Sequence, residues 1–236
     1  MGLIVSASNP MAIYVFETID ITGAGRGALI DRLQTGWAPH LEDEFGIRMV
    51  GVWATAGSTA SWPEANVLWE MDDWEQFGRA QAARFPLEEN DPYGCELERH
   101  SLPLRAGGRH DLLIGADFSP TRAQIRAEDR AGSVVLRENV RSRPGAFHEY
   151  QAALASEYLP VATARGISLL GAYAHSLRPN LGMNLWSFRD WAHVCETMET
   201  LDTDPERAAW ARRERELLDD SEAWLLAAPP AEALGT

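Results

Sequence analysis

The sequence predicts an α+β fold: a tandem duplication of two ferredoxin-like units packing sheet to sheet as an α/β barrel. Three observations carry this. Leu68-Trp69-Glu70-Met71-Asp72-Asp73-Trp74 is echoed by Leu185-Trp186-Ser187-Phe188-Arg189-Asp190-Trp191, with two Trp, a Leu and an Asp at fixed spacing. The echo extends upstream: Gly51-Val52-Trp53-Ala54 matches Gly171-Ala172-Tyr173-Ala174, and Glu17 falls on Glu138. Each half reads strand, helix, strand, strand, helix, strand, the ferredoxin-like order. A single such unit leaves one sheet face bare, and a second unit can cover it. Repeating units are expected near 12–105 and 132–230, with domains of 1–106 and 132–236 and a linker of 107–131. The barrel can dimerise further.

The elements follow in order. Ala12 to Ile21 alternates and is rich in β-branched and aromatic residues, which makes a strand. Ala28 to Glu44 places Leu29, Leu33, Trp37 and Leu41 on one helical stripe. Pro39 predicts a kink or break in it, and Gly46 a stop. Arg48–Thr55 and Glu64–Met71 read as strands, Asp73–Phe85 as a helix, and Glu96–Leu104 as a fourth strand. Gly107-Gly108 reads as a turn that ends the first unit. The linker holds an extended apolar piece, Leu112 to Ile114, and a short helix after Pro120. The second half gives strands at Val134–Arg141, Ser168–Ser176, Met183–Phe188 and Ser221–Ala228. Its helices are expected at Gly145–Ala164 and Asp190–Thr200, and in a segment capped by Asp204 with Pro205 at its first position.

Composition narrows the function. The net charge of −14 argues against nucleic acid and anionic membrane surfaces as partners. No apolar run is long enough to span a bilayer, and Met1 to Asn9 lacks the charged start and apolar length of a secretory signal. Two cysteines, Cys95 and Cys195, define neither a disulfide framework nor a zinc site, so a reducing cytoplasm is expected. All 21 basic residues are Arg. That suggests a GC-rich bacterial genome and removes chemistry through a lysine Schiff base.

The Glu of the first strand, Gly-x-Trp in the second, and Asn66, Leu68 and Trp69 leading to an Asp at a helix start resemble the NIPSNAP family. Asn184, Leu185 and Trp186 repeat the pattern with a shift in spacing. The family's first-strand Glu-x-Arg is here Glu17-Thr18-Ile19 and Glu138-Asn139-Val140. The resemblance implies the dimeric α/β-barrel superfamily. That superfamily holds cofactor-free monooxygenases, polyketide cyclases, small isomerases and lyases, and haem enzymes.

Three residues are candidates for catalysis. Glu17 and Glu138 each sit on the apolar face of a strand, where burial would raise a carboxylate pKa toward use as an acid or base. His175 stands where the first half has Thr55, and shares a strand face with Tyr173. The expectation is Glu138 as base and His175 as acid, with Glu17 as the second carboxylate. Tyr173, Trp186, Tyr158, Trp53 and Trp69 would bind the substrate as aromatic walls. The function expected is a cofactor-independent enzyme acting on a small apolar metabolite by proton transfer: an isomerase, cyclase, lyase or monooxygenase. No cofactor and no metal are expected; His40 and Glu44 at i, i+4 lack a third ligand. One alternative is a haem enzyme, with His148, His175 or His193 as axial ligand. The other is a small-molecule-binding or scaffolding protein without chemistry.

Overall fold

The structure is a computed structural model that describes residues 12–84, 100–200 and 203–229. Eight strands close into one antiparallel barrel: β1 (Ile13–Ile21), β2 (Arg48–Thr55), β3 (Glu64–Met71), β4 (Arg105–Gly115), β5 (Val134–Ser142), β6 (Ser168–His175), β7 (Leu181–Phe188) and β8 (Leu218–Ala227). The circular order is β1-β3-β2-β8-β5-β7-β6-β4. The first four strands lie as β4-β1-β3-β2, and the last four as β8-β5-β7-β6. Short ladders, β2 with β8 and β4 with β6, close the ring. No described helix is long and apolar enough to cross a membrane.

Helices cover the outside. In the first half these are α1 (Arg26–Arg32), α2 (Ala38–Phe45) and α3 (Trp74–Arg84); α4 (Arg122–Ala127) follows β4. In the second half they are α5 (Phe147–Ala153), α6 (Leu159–Ala164), α7 (Trp191–Glu199) and α8 (Pro205–Leu217). Side chains alternate along each strand. On β1, Ile13, Val15, Glu17 and Ile19 face the helices, and Tyr14, Phe16 and Thr18 face into the barrel. Three cores result. One lies under the first-half helices, around Leu29, Leu33 and Trp69. Another lies under the second-half helices, around Tyr150, Leu154 and Trp186. The third fills part of the barrel with Tyr14, Phe16, Trp53, Tyr173 and Leu185.

The kink expected at Pro39 is a π-helical turn. Residues Leu33–Trp37 open to i→i−5 bonding, with Ala38 N–H donating to the Leu33 carbonyl. The second half does the same at Leu154–Tyr158, ahead of Pro160. A proline has no N–H and its ring crowds the carbonyl four residues back, here that of Thr35 or Ser156. Widening the turn removes the conflict. The Thr35 and Ser156 hydroxyls donate back one turn, Thr35 Oγ1 to the Asp31 carbonyl and Ser156 Oγ to the Ala152 carbonyl, each at 2.8 Å.

The Gly-x-aromatic repeat also has a geometric cause. The ladders slip one residue between Met49 and Gly51, and between Leu169 and Gly171. The Trp53 and Tyr173 rings fold back over these glycines, where any β-carbon would collide with them. Asp73 and Asp190 cap α3 and α7, accepting from Gln76 N–H at 2.7 Å and His193 N–H at 2.8 Å.

One expected element is corrected. The first-half edge strand is Arg105–Gly115 and not 96–104. Residues 96–99 lie outside the described set, Leu102–Leu104 form a 3-10 turn, and the stretch read as the start of a linker pairs with β1 along its length. Gly108 is what permits this. Its φ is 153°, and a β-carbon there would strike the Thr18 carbonyl.

Candidate active site

Glu17 projects from the middle of β1 toward the helix layer and is 8% exposed. Its neighbours on both flanking strands supply donors. Trp69 Nε1, from β3, donates to Oε2 at 3.3 Å. From β4, Arg105 Nη1 reaches Oε1 at 3.0 Å and His110 Nε2 lies 3.1 Å from the same oxygen. Burial alone would raise the Glu17 pKa. The His110 hydrogen bond, the Arg105 and His110 charges and the Trp69 donor outweigh it, and lower the pKa to about 2. The raised pKa expected for Glu17 is therefore corrected: its surroundings favour the ionised carboxylate.

This group forms the polar end of a cavity of about 500 Å³ between the sheet and the first-half helices. Leu33, Trp37, Leu41, Trp69 and Phe77 are among its apolar walls. Trp37 ends the π-helical turn, so the distortion imposed ahead of Pro39 sets where this ring stands. Most of the His110 ring is open to solvent (65% exposed), whereas Glu17 sits deep. The walls are apolar and aromatic, and Glu17, Arg105 and His110 line the same cavity.

Glu138 occupies the matching place in the second half. Trp186 Nε1 donates to its Oε2 at 3.3 Å, the same length as the Trp69 bond to Glu17. The rest of its surroundings differ. Asn184 Nδ2 donates to Oε2 at 2.8 Å and also lies 2.7 Å from the Tyr150 hydroxyl. From α8, the Trp210 ring stacks on Tyr158 with centroids 5.2 Å apart, and Tyr158 meets Trp186 edge-on at 5.1 Å. Desolvation raises the Glu138 pKa, opposed by the Asn184 and Trp186 hydrogen bonds. Glu214, also on α8, is raised to about 8 by burial and by the Glu138 charge. Its Oε1 is buried without a hydrogen-bond partner. Burial thus favours the protonated form of both carboxylates.

The expected partnership of Glu138 and His175 is corrected. The two residues project from opposite faces of the sheet. Glu138 pairs in register with Asn184 and faces the helices, whereas His175, like Tyr173 two residues earlier, faces the barrel interior. Alternation along β6 fixes this, because Ala172 faces the second-half helices. Of the expected aromatic walls, Trp69 belongs with Glu17, and Trp186 and Tyr158 with Glu138. Trp53 and Tyr173 pack in the barrel core, where Tyr173 meets Tyr14 at 4.9 Å. His193 has both ring nitrogens engaged: Nδ1 accepts from Arg189 N–H at 3.3 Å, and Nε2 lies 2.9 Å from the Arg165 carbonyl oxygen. His148 is exposed. Among the described residues, no group of three His, Cys, Asp or Glu is placed to hold a metal ion.

Arg105 and His110 were not singled out from sequence, because both fall beside the Gly107-Gly108 pair. The signal available was the extended apolar piece Leu112 to Ile114, which continues the strand beyond the glycines. Glu214 was hidden within an acidic, Arg-rich helix.

No family model matches the sequence, and no curated protein matches it. Solved structures do. A candidate monooxygenase from Lactobacillus acidophilus superposes with a TM-score of 0.63 at 8% identity, covering 92% of this chain and 93% of its own. A candidate monooxygenase from Fusobacterium nucleatum gives 0.60 at 6% identity, covering 94% of both chains. An anthrone oxidase-like protein gives 0.61 at 11% identity, covering 95% of this chain and 94% of its own. These likenesses show the fold: an α/β barrel of the dimeric α/β-barrel type, here closed within one chain.

Proposed function

We propose that the protein is a tandem duplication of two ferredoxin-like units whose first unit is a cofactor-independent enzyme of monooxygenase or acid–base type. Its substrate is a flat, apolar metabolite bearing an acidic C–H or O–H. The observation that carries this reading is the Glu17–His110–Arg105 group at the polar end of an otherwise apolar cavity of about 500 Å³. The names of the structural neighbours agree with it.

The roles follow from the geometry. His110 takes the substrate proton. Glu17, already ionised, fixes the imidazole and stabilises the imidazolium that forms, as a buried carboxylate does for a catalytic histidine. Arg105 stands beside the developing substrate anion. In the oxygenase form, the carbanion adds O2 and a proton to give a hydroperoxide, which loses water to leave a carbonyl. One O2 is consumed, one water is released, and no outside reductant is needed.

A second reading, a binding protein without chemistry, has one observation in its favour. A carboxylate lowered to about 2 is a poor base in its own right. Turnover separates the two. With anthrone as probe, oxygen uptake should fall about a hundredfold or more in His110→Ala and in Glu17→Gln. Binding of 1-naphthol, read by tryptophan quenching, should persist in His110→Ala. Full uptake in both variants would overturn the catalytic assignment; naphthol binding with no uptake in the wild type would favour the binding protein.

A further inference from the structure

The barrel interior is apolar over most of its length and polar at one end. There Arg137, on β5, is fully buried at 0% exposure. Its guanidinium lies 4.3 Å from the Phe16 ring centroid and 4.9 Å from that of Trp224. Nη1 donates to Thr18 Oγ1 at 3.0 Å and Asn66 Oδ1 at 3.3 Å, and Nε donates to Asn139 Oδ1 at 3.2 Å. Nη2 is buried with no hydrogen-bond partner. The carboxylate facing it, Asp111 Oδ2, stays 3.6 Å away.

Asp111 is itself 4% exposed, and three more basic groups surround it at similar range. Arg109 Nε lies at 3.4 Å, His175 Nδ1 at 3.8 Å and Arg178 Nη1 at 4.0 Å. All four distances exceed the 2.7–3.2 Å of ordinary N–H···O bonds. One carboxylate therefore faces three guanidiniums and an imidazole and closes on none of them. The excess of positive charge has a cost. Burial, then the Arg109 charge, lowers the Arg137 pKa to about 9. Burial also lowers that of His175, with Asp111 opposing and Arg178, Arg137 and Arg109 adding to the fall. The first half places an apolar residue, Phe16, at the matching position of β1. Two adjoining cavities, of about 670 and 150 Å³, open beside the cluster and share Arg109, Asn139 and Glu222.

We propose that this end of the barrel binds a small monocarboxylate. Its oxygens take the donors left over around Asp111: Arg137 Nη2, Arg109 and Arg178. Its body lies in the larger cavity against Thr18, Asn139 and Ser61. Asp20, Glu64 and Glu222 line the same cavity and repel further negative charge, which selects a single carboxylate over a phosphate dianion. The site is separate from Glu17 and does not depend on its role.

Acetate is the simplest probe, titrated against chloride at constant ionic strength while the His175 ring resonance is followed by NMR. Acetate should shift this resonance saturably and raise its titration midpoint, because an added anion favours the imidazolium. Arg137→Leu should abolish the effect. Arg178→Ala, at an exposed site, should weaken it about fivefold or more and keeps the test valid if Arg137→Leu misfolds. The proposal is overturned if acetate acts no differently from chloride, if Arg178→Ala and Arg109→Ala both bind as the wild type, or if phosphate binds more tightly than acetate.

Discussion

The two halves carry the same carboxylate–indole pair and use it in opposite ways. Glu17 and Glu138 each accept from a tryptophan Nε1 at 3.3 Å on the helix-facing side of the sheet. Around Glu17 the neighbours are an arginine, a histidine and an indole N–H, and the carboxylate is held ionised against an apolar cavity. Around Glu138 they are an amide, two tyrosines and a second carboxylate, and the space is packed by Trp210 and Tyr158. A site is therefore defined less by its central residue than by what the flanking strands and the covering helix bring to it. The second half fills this space with aromatic rings; the first leaves a cavity.

The largest expected effect tests that packing. Trp210 is 8% exposed, within the aromatic group that includes Tyr150 and Tyr158. Trp210→Ala should cost about 3–5 kcal/mol in chemical denaturation, as other large-to-small aromatic truncations in cores do. A loss under about 1 kcal/mol would mean that the second half is as open as the first.

The next effect is a difference in pH dependence. Glu214 is raised from 4.5 to about 8 in the folded state. The folded protein then binds more protons than the unfolded chain between these values, so this contribution to stability is full below about pH 4.5 and is lost as pH rises through 8. Glu17 is lowered to about 2, so its contribution is present above about pH 4.5 and is lost as pH falls toward 2. Glu214→Gln should flatten the decline between pH 5 and 8 and leave the acid limb unchanged. Glu17→Gln should do the reverse. Identical pH profiles for the two variants would erase the distinction between the halves.

Much of the architecture was legible in the chain itself. Alternation gave β1, the recurring Leu-Trp…Asp-Trp gave the strand-to-helix steps after β3 and β7, and Pro39 marked the first helix distortion; the matching one ahead of Pro160 interrupts a helix expected to run unbroken from Gly145 to Ala164. What hid β4 was composition. Arg105-Ala106-Gly107-Gly108-Arg109 looks like a turn, yet its backbone pairs with β1, and Gly108 adopts a φ closed to other residues. Missing that strand also hid Arg105 and His110, so Glu17 was identified without its partners. The Glu138–His175 pairing failed for a related reason. Which face a strand residue takes depends on register, and the bulge ahead of Gly171 shifts register in a way that spacing does not reveal.

The most direct test sets the two carboxylates side by side: oxygen uptake with anthrone for Glu17→Gln and Glu138→Gln, each checked for folding by near-UV circular dichroism. The account predicts a loss of about a hundredfold or more for Glu17→Gln and a change within about threefold for Glu138→Gln. A reversed order, or equal losses in two folded variants, would contradict it.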